Sequence, residues 1–219
     1  MDTEETIQAV RDRLDDIVKP YIFSDTVLCR ALDNVQREAS ERALLIHDKT
    51  TASVCQVSVV DGTHTYALSP YIIKVMRAKL SAESLPLTQI TQRDLDVNVY
   101  NWEELEDTPK WFYQYGNNIR LVYIPEADDT LNLEVFRRPL TTIEDTSDDL
   151  EVLAEYRPGL VHGVCAEVLG DQDSDTYDPQ REATEMALFE RWFGPKPTAK
   201  QMQRRKEVPN NQTVRPRKF

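Results

Sequence analysis

Glycine is scarce. Six residues in 219 (Gly62, Gly116, Gly159, Gly163, Gly170 and Gly194) lie scattered, so no Gly-rich phosphate cradle can be built from them. Cysteine is as sparse: Cys29, Cys55 and Cys165 form no CxxC pair and are odd in number, which argues against a disulfide framework or a thiolate zinc site and for three reduced, buried thiols. The histidines His47, His64 and His162 show neither the i, i+4 spacing of a zinc helix nor a hydrolase motif, and a serine nucleophile elbow is missing. Carboxylate pairs such as Asp148-Asp149 are expected by chance among 38 acids and point to no chemistry. No apolar run approaches the roughly 18 residues of a membrane span, and the acidic opening Met1-Asp-Thr-Glu-Glu lacks the basic start of a signal peptide. The expectation is a non-enzymatic protein of a cytoplasm-like compartment, without a cofactor.

What the chain has is acid. Lys and Arg number 26 against 38 Asp and Glu, a formal charge of −12, which excludes diffuse attraction of the whole chain to nucleic acid or an anionic membrane. The charge is unevenly placed: beyond Pro195, residues 196–219 hold eight cations and Glu207, about +7, leaving about −19 on the rest. That tail is rich in Pro, Asn and Gln and nearly empty of aliphatics, so it cannot fold alone and is expected to be extended.

Apolar periodicity orders the rest. Ile7, Val10, Leu14, Ile17 and Val18 recur at helical spacing behind an Asp2/Glu5 capping box, and Pro20 ends the run. Ser24 caps a second helix carrying Val27, Leu28, Ala31, Leu32, Val35, Ala39 and Ala43, and a short link suggests an antiparallel helical hairpin. From Thr51 the period becomes two: Cys55, Val57 and Val59, the Asp61-Gly62 turn, and Thr63 to Leu68 predict a β-hairpin. Ile72–Leu80 is a further strand, Thr91 and Asp94 cap a brief helix, and Trp111–Tyr115, Asn118–Ile124 and Leu131–Val135 read as an antiparallel meander. Trp102, Trp111, Phe112, Tyr113 and Tyr115 lack interleaved cations and suit a core or a subunit contact. Helix returns with Pro158 at its first position and Gly170 as its stop, then with Asp178 as N-cap, Pro179 at N1 and Gly194-Pro195 as the end. The predicted class is α+β: a four-helix bundle of N- and C-terminal helical pairs (residues 1–50 and 150–194), an inserted antiparallel β-rich segment (51–149) and an extended basic C-terminal arm (195–219).

One string resembles a ligand loop. Asp171, Asp173 and Asp175 with Glu182 at the twelfth position follow EF-hand spacing, but Thr176 replaces the turn glycine and Pro179 falls where a helix should begin, so an Asp178-Pro179 cap is the better reading and no metal is expected.

Arg13 to Asp25 (RLDDIVKPYIFSD), Asp33 to Arg42 (DNVQREASER), the strand pair around Ile119–Pro125, Tyr177-Asp-Pro and Phe189 to Gly194 (FERWFG) together resemble head-to-tail adaptor (connector) proteins of tailed bacteriophages, especially short-tailed ones. The resemblance implies a structural protein of the virion neck, made in the host bacterial cytoplasm. It implies a ring of about twelve copies that docks on the portal protein, meets tail proteins (nozzle or tail tube) on its other face, and lets DNA pass without specific binding, which an acidic body suits. It further implies that the arm reaches the portal, with Lys200, Arg204, Arg205, Lys206, Val208, Val214, Arg215, Arg217, Lys218 and Phe219 as contact residues. The alternatives are a calcium-binding helix-loop-helix module and a tail-side terminator or scaffold protein without portal contact.

Overall fold

In chain order the elements are α1 (Thr3–Leu14), α2 (Asp25–Ala43), β1 (Ile46–Asp48), α3 (Ala52–Cys55), β2 (Gln56–Val59), β3 (Thr65–Ala67), β4 (Ile72–Leu80), β5 (Thr88–Gln89), α4 (Gln92–Asn98), β6 (Trp111–Tyr115), β7 (Asn118–Val122), β8 (Asp129–Arg137), α5 (Arg157–Leu169), α6 (Pro179–Phe193) and α7 (Ala199–Glu207). They belong to a computed structural model that describes residues 2–172 and 176–209. The class is α+β. The chain divides into two compact units, Met1–Ile46 with Arg138–Pro197, and His47–Arg137 with the segment from Thr198 onward.

The first unit is helical. Its first helix begins at the capping box expected, with Asp2 Oδ1 accepting from the Glu5 amide at 2.8 Å and Glu5 Oε2 from the Asp2 amide at 3.1 Å. It ends earlier than the apolar spacing suggests: Asp15 turns left-handed at φ 61°, and Ile17 and Val18 stand 62% and 74% exposed. A buried carboxylate is the cause. Asp16 accepts from Arg11 Nη1 at 2.7 Å and from the amides of Ile22 and Phe23 at 2.7 and 3.2 Å, bonds that a continued helix would not allow. Arg11 also donates to the Phe23 carbonyl and to Asp25, and its guanidinium lies 3.8 Å from the Tyr21 ring centre.

An antiparallel hairpin of the first two helices was the expected packing, and the structure differs. Helices α1 and α2 touch each other little; both lean on α5, which also carries α6. Helix α5 buries Leu160, Val161, Val164, Cys165, Val168 and Leu169 around most of its girth, leaving only Pro158 and Glu167 exposed within it, and so takes the centre. Its glycines permit the approach. A Cβ on Gly163 would sit 2.5 Å from Val35 and 2.9 Å from Phe189, and one on Gly159 would sit 2.8 Å from Phe193 and Trp192. The acidic link between β8 and α5 is bound rather than loose: Gln36, fully buried on α2, accepts from the amides of Glu151 and Val152 at 3.0 and 3.3 Å, and Ile143, Leu150 and Val152 enter the core.

The second unit holds two four-stranded sheets. Strand β8 pairs with β1, β2 and β4, and the other sheet runs β3-β7-β6-β5. The hairpin predicted across Asp61-Gly62 does not form: β2 pairs with β8 in one sheet and β3 with β7 in the other. Gly62 does turn with φ 72°, but its amide bonds to Pro125, and the Tyr66 hydroxyl donates to the Val60 and Thr63 carbonyls, closing the turn without a ladder. Residues expected to open that hairpin, Ala52–Cys55, make one helical turn instead. The predicted meander is likewise split, since β6 and β7 form a hairpin through Gly116 while β8 crosses to the other sheet. Of the aromatics singled out, Trp102, Phe112 and Tyr113 are buried, Trp102 and Tyr113 with Leu95 and Val122, whereas Trp111 is half-buried and Tyr115 is 40% exposed.

At one end of β8, Asp48 binds Arg137 Nε at 2.6 Å and the amides of Thr50 and Thr51 at 2.9 and 3.1 Å. Burial pushes the Asp48 carboxyl up, but hydrogen bonds from Thr51, Thr50 and Arg137 outweigh it and hold the group far below the usual carboxylate range. The neighbouring Cys55 thiol is pushed up to about 11 by burial and by the Asp48 charge, so it stays protonated and inert.

Two outcomes test this packing. Because the folded Asp48 pKa is depressed, its contribution is complete above the unfolded carboxylate value near ~4 and is lost as pH falls below it, so the fall in melting temperature between pH 5 and pH 2 is shallower in Asp48→Asn than in the wild type, as calorimetry would show. Gly163→Ala lowers stability by about 1–3 kcal/mol in denaturant titration, because overpacking against Val35 and Phe189 exceeds the helix-propensity gain.

Candidate partner-binding surface

The basic tail was expected to be extended, and its first part is not. Thr198 and Gln201 form a capping box, with Thr198 Oγ1 accepting from the Gln201 amide at 3.3 Å and Gln201 Oε1 from the Thr198 amide at 2.8 Å. From Ala199 to Glu207 no proline interrupts, and the residues are good helix formers bracketed by Pro197 and Pro209. Arg204, Arg205 and Lys206 fall in the last turn, where cations favour the helix dipole. With no fully buried side chain, α7 depends on tertiary support, and it packs on β4 and β6.

The support is polar. Lys206 Nζ donates to the Gly116 carbonyl at 3.1 Å and to Asn117 Oδ1 at 2.9 Å, at the β6–β7 turn. Gln89 Nε2 donates to the Lys206 carbonyl at 3.0 Å. Arg205 is half-buried beside Lys74, whose ammonium is pushed down by burial and then by the Arg205 charge. Of the cations singled out in the tail, Lys206 fastens the helix and Arg205 is half-buried, while Lys200 and Arg204 are exposed. Val208, 45% exposed, ends α7. Val214, Arg215, Arg217, Lys218 and Phe219 lie outside the described residues.

Beside α7 runs a groove of about 770 Å³, with Ile90, Tyr113, Tyr115 and Val208 on its walls, Gln114 among its lining residues, and Arg93, Lys200 and Arg204 around it. None of this was legible as a motif, because the lining comes from three separated segments. Among the described residues the groove's lining holds no Ser, Cys or His; its chemistry is that of apolar contact, positive charge and hydrogen-bond donation.

In the acidic string the described residues are committed to helix ends. Asp178 accepts from the amides of Gln180 and Arg181, both at 3.1 Å, and Pro179 opens α6, so the ninth loop position is spent on a helix start. Glu182 lies in the first turn of α6 and Asp171 just after Gly170, while Asp173 and Asp175 lie outside the described residues. Among the described residues no group of three His, Cys, Asp or Glu is placed to hold a metal ion.

One polar cluster escaped sequence reasoning. Glu185 on α6, nearly buried, accepts from Arg13 Nε at 2.8 Å and is joined to His162 Nδ1 at 2.8 Å, tying α1, α5 and α6 together. Burial pushes its carboxyl up, but the Arg13 and His162 hydrogen bonds outweigh that and hold it below the usual range, as suits a structural ion cluster. Positions 13, 162 and 185 share no spacing that would reveal it.

Removing the cap isolates the local stability of α7. Thr198→Ala costs about 1 kcal/mol at that helix, so amide exchange at residues 201–207 accelerates several-fold while α5 amides are unchanged.

A family model described as SU10 adaptor protein matches residues 1–216, both units included. No curated protein matches the chain.

Proposed function

The chain belongs to the SU10 adaptor protein family, a family of phage structural adaptors, and on that premise we propose that it forms a ring in the virion neck, docked on the portal on one side and meeting the tail on the other. The observation that carries this reading is the extent of the match, which runs through both units and into the basic tail rather than over a single shared module. Charge supports it. A body of about −19 is suited to line a conduit through which DNA slides without being held, and a tail of about +7 is suited to an acidic partner. Among the described residues no helix is long and apolar enough to cross a membrane.

Docking falls to the tail. Beyond α7, Arg215, Arg217 and Lys218 follow Pro209 with no acid among them, and Val214 and Phe219 supply sparse anchors. Contact through such a segment weakens as salt rises, since much of it is charge complementarity. The calcium reading has no observation in its favour, because Asp178 and Pro179 are committed to the start of α6.

Deletion of residues 198–219 removes attachment to the portal, and the triple variant Arg215→Glu, Arg217→Glu, Lys218→Glu, which leaves α7 intact, weakens it at least about ten-fold in a pull-down titration. Wild-type attachment and normal infectious particles with both variants would overturn the docking role.

A further inference from the structure

The groove beside α7 carries features that α7's own fastening does not use. Gln114, 2% exposed on β6, receives the Val75 amide on its Oε1 at 3.4 Å, yet its Nε2 has no hydrogen-bond partner among the described residues. An orphaned donor at that depth costs about 1–3 kcal/mol unless an acceptor reaches it. Arg93, Lys200 and Arg204 are exposed around the same groove, and none forms an ion pair among the described residues; Glu207 is the single acid of the lining. Apolar walls, three cations and one unmet donor call for a segment that brings carboxylates together with an aliphatic or aromatic anchor.

The tail beyond Pro209 does not have that chemistry, since residues 210–219 add three cations and no acid to a groove already positive. The stretch Tyr100–Asp107 does. Glu103, Glu104, Glu106 and Asp107 are four acids in five residues, Tyr100 is 95% exposed, and Leu105 is 40% exposed. Tyr100 and Leu105 thus offer exposed apolar surface directly beside the acids, the combination that the groove's chemistry complements.

We propose that the α7 groove of one copy is the socket for the acidic Tyr100–Asp107 segment of a second copy, Leu105 or Tyr100 entering between the apolar walls, a carboxylate or carbonyl of the segment accepting from Gln114, and the acids pairing with Arg93, Lys200 and Arg204. The contact joins two different surfaces, as a ring requires of its subunits. It rests on the reading that copies of this chain assemble with one another.

The test mixes isotopically light and heavy full chains at high concentration and couples amines to carboxylates with a zero-length carbodiimide. Mixed-isotope peptides linking Lys200 to Glu103, Glu104, Glu106 or Asp107 are expected, falling at least about ten-fold at raised salt. Arg93→Glu, Arg204→Glu, which keeps Lys200, lowers the yield by a similar factor, and pairing that variant with a Glu104→Arg, Glu106→Arg chain restores it. Lys200 links that are only light–light and heavy–heavy, or a charge-reversed pair that recovers nothing, overturn the socket. If mixed links then appear elsewhere and mass photometry shows rings on the portal, the assembly reading survives the loss of the socket. Monomers alone, with the portal present and no mixed links anywhere, defeat both.

Discussion

Helix α5 has little polar surface to give to solvent, Glu167 being its one exposed charged residue, and the helical unit is arranged by that constraint. A segment that reads RPGLVHGVCAEVL must be surrounded, and α1, α2 and α6 each supply a wall. Close approach then becomes a requirement rather than a convenience: Val35 from one side and Phe189 from another occupy the space where a Gly163 side chain would be. The polar groups drawn in with these helices are mostly satisfied locally, Arg11 by Asp16 and Asp25, Glu185 by Arg13 and His162, and the amides of the acidic link by Gln36, whose own Nε2 has no partner among the described residues. Acid in this unit is therefore partly structural, and the net negative charge is not simply a solvated surface.

The β-rich unit has a different logic. Strand β8 is the spine of one sheet, and Gln114 reaches from β6 to the Val75 amide on β4, joining that sheet to the other. Helix α7 adds little apolar burial and is held by Lys206 at the β6–β7 turn, by Gln89 and by its capping box, a set of bonds near the net worth of ordinary exposed hydrogen bonds. A basic segment held this lightly can keep two of its cations, Lys200 and Arg204, available to partners while Lys206 secures it.

How much of this the sequence disclosed depended on whether the determinant was local. Caps were readable: Asp2, Ser24, Thr91 and Asp178 all start helices where their side chains indicated, because an N-cap acts within three residues. Long-range choices were not. Asp61-Gly62 has the composition of a hairpin turn, yet β2 and β3 go to different sheets because each finds a longer partner elsewhere in sequence. Ile17 and Val18 continue an apolar stripe, yet a buried Asp16 bound to Arg11 ends the helix before them. The prolines around residues 199–207 suggested extended chain, whereas they bracket a helix instead of interrupting it. The tail was legible as a charge anomaly, but the groove beside it was not, because Arg93, Gln114 and Arg204 meet only after folding.

The central claim is one of place: a structural adaptor whose basic tail faces the portal. An image reconstruction of the virion neck with this chain labelled at residue 198 tests it most directly. The account predicts a closed ring between the capsid vertex and the tail, with the label on the portal side. Label confined to the tail-side rim of that ring, or absent from the neck, would contradict it.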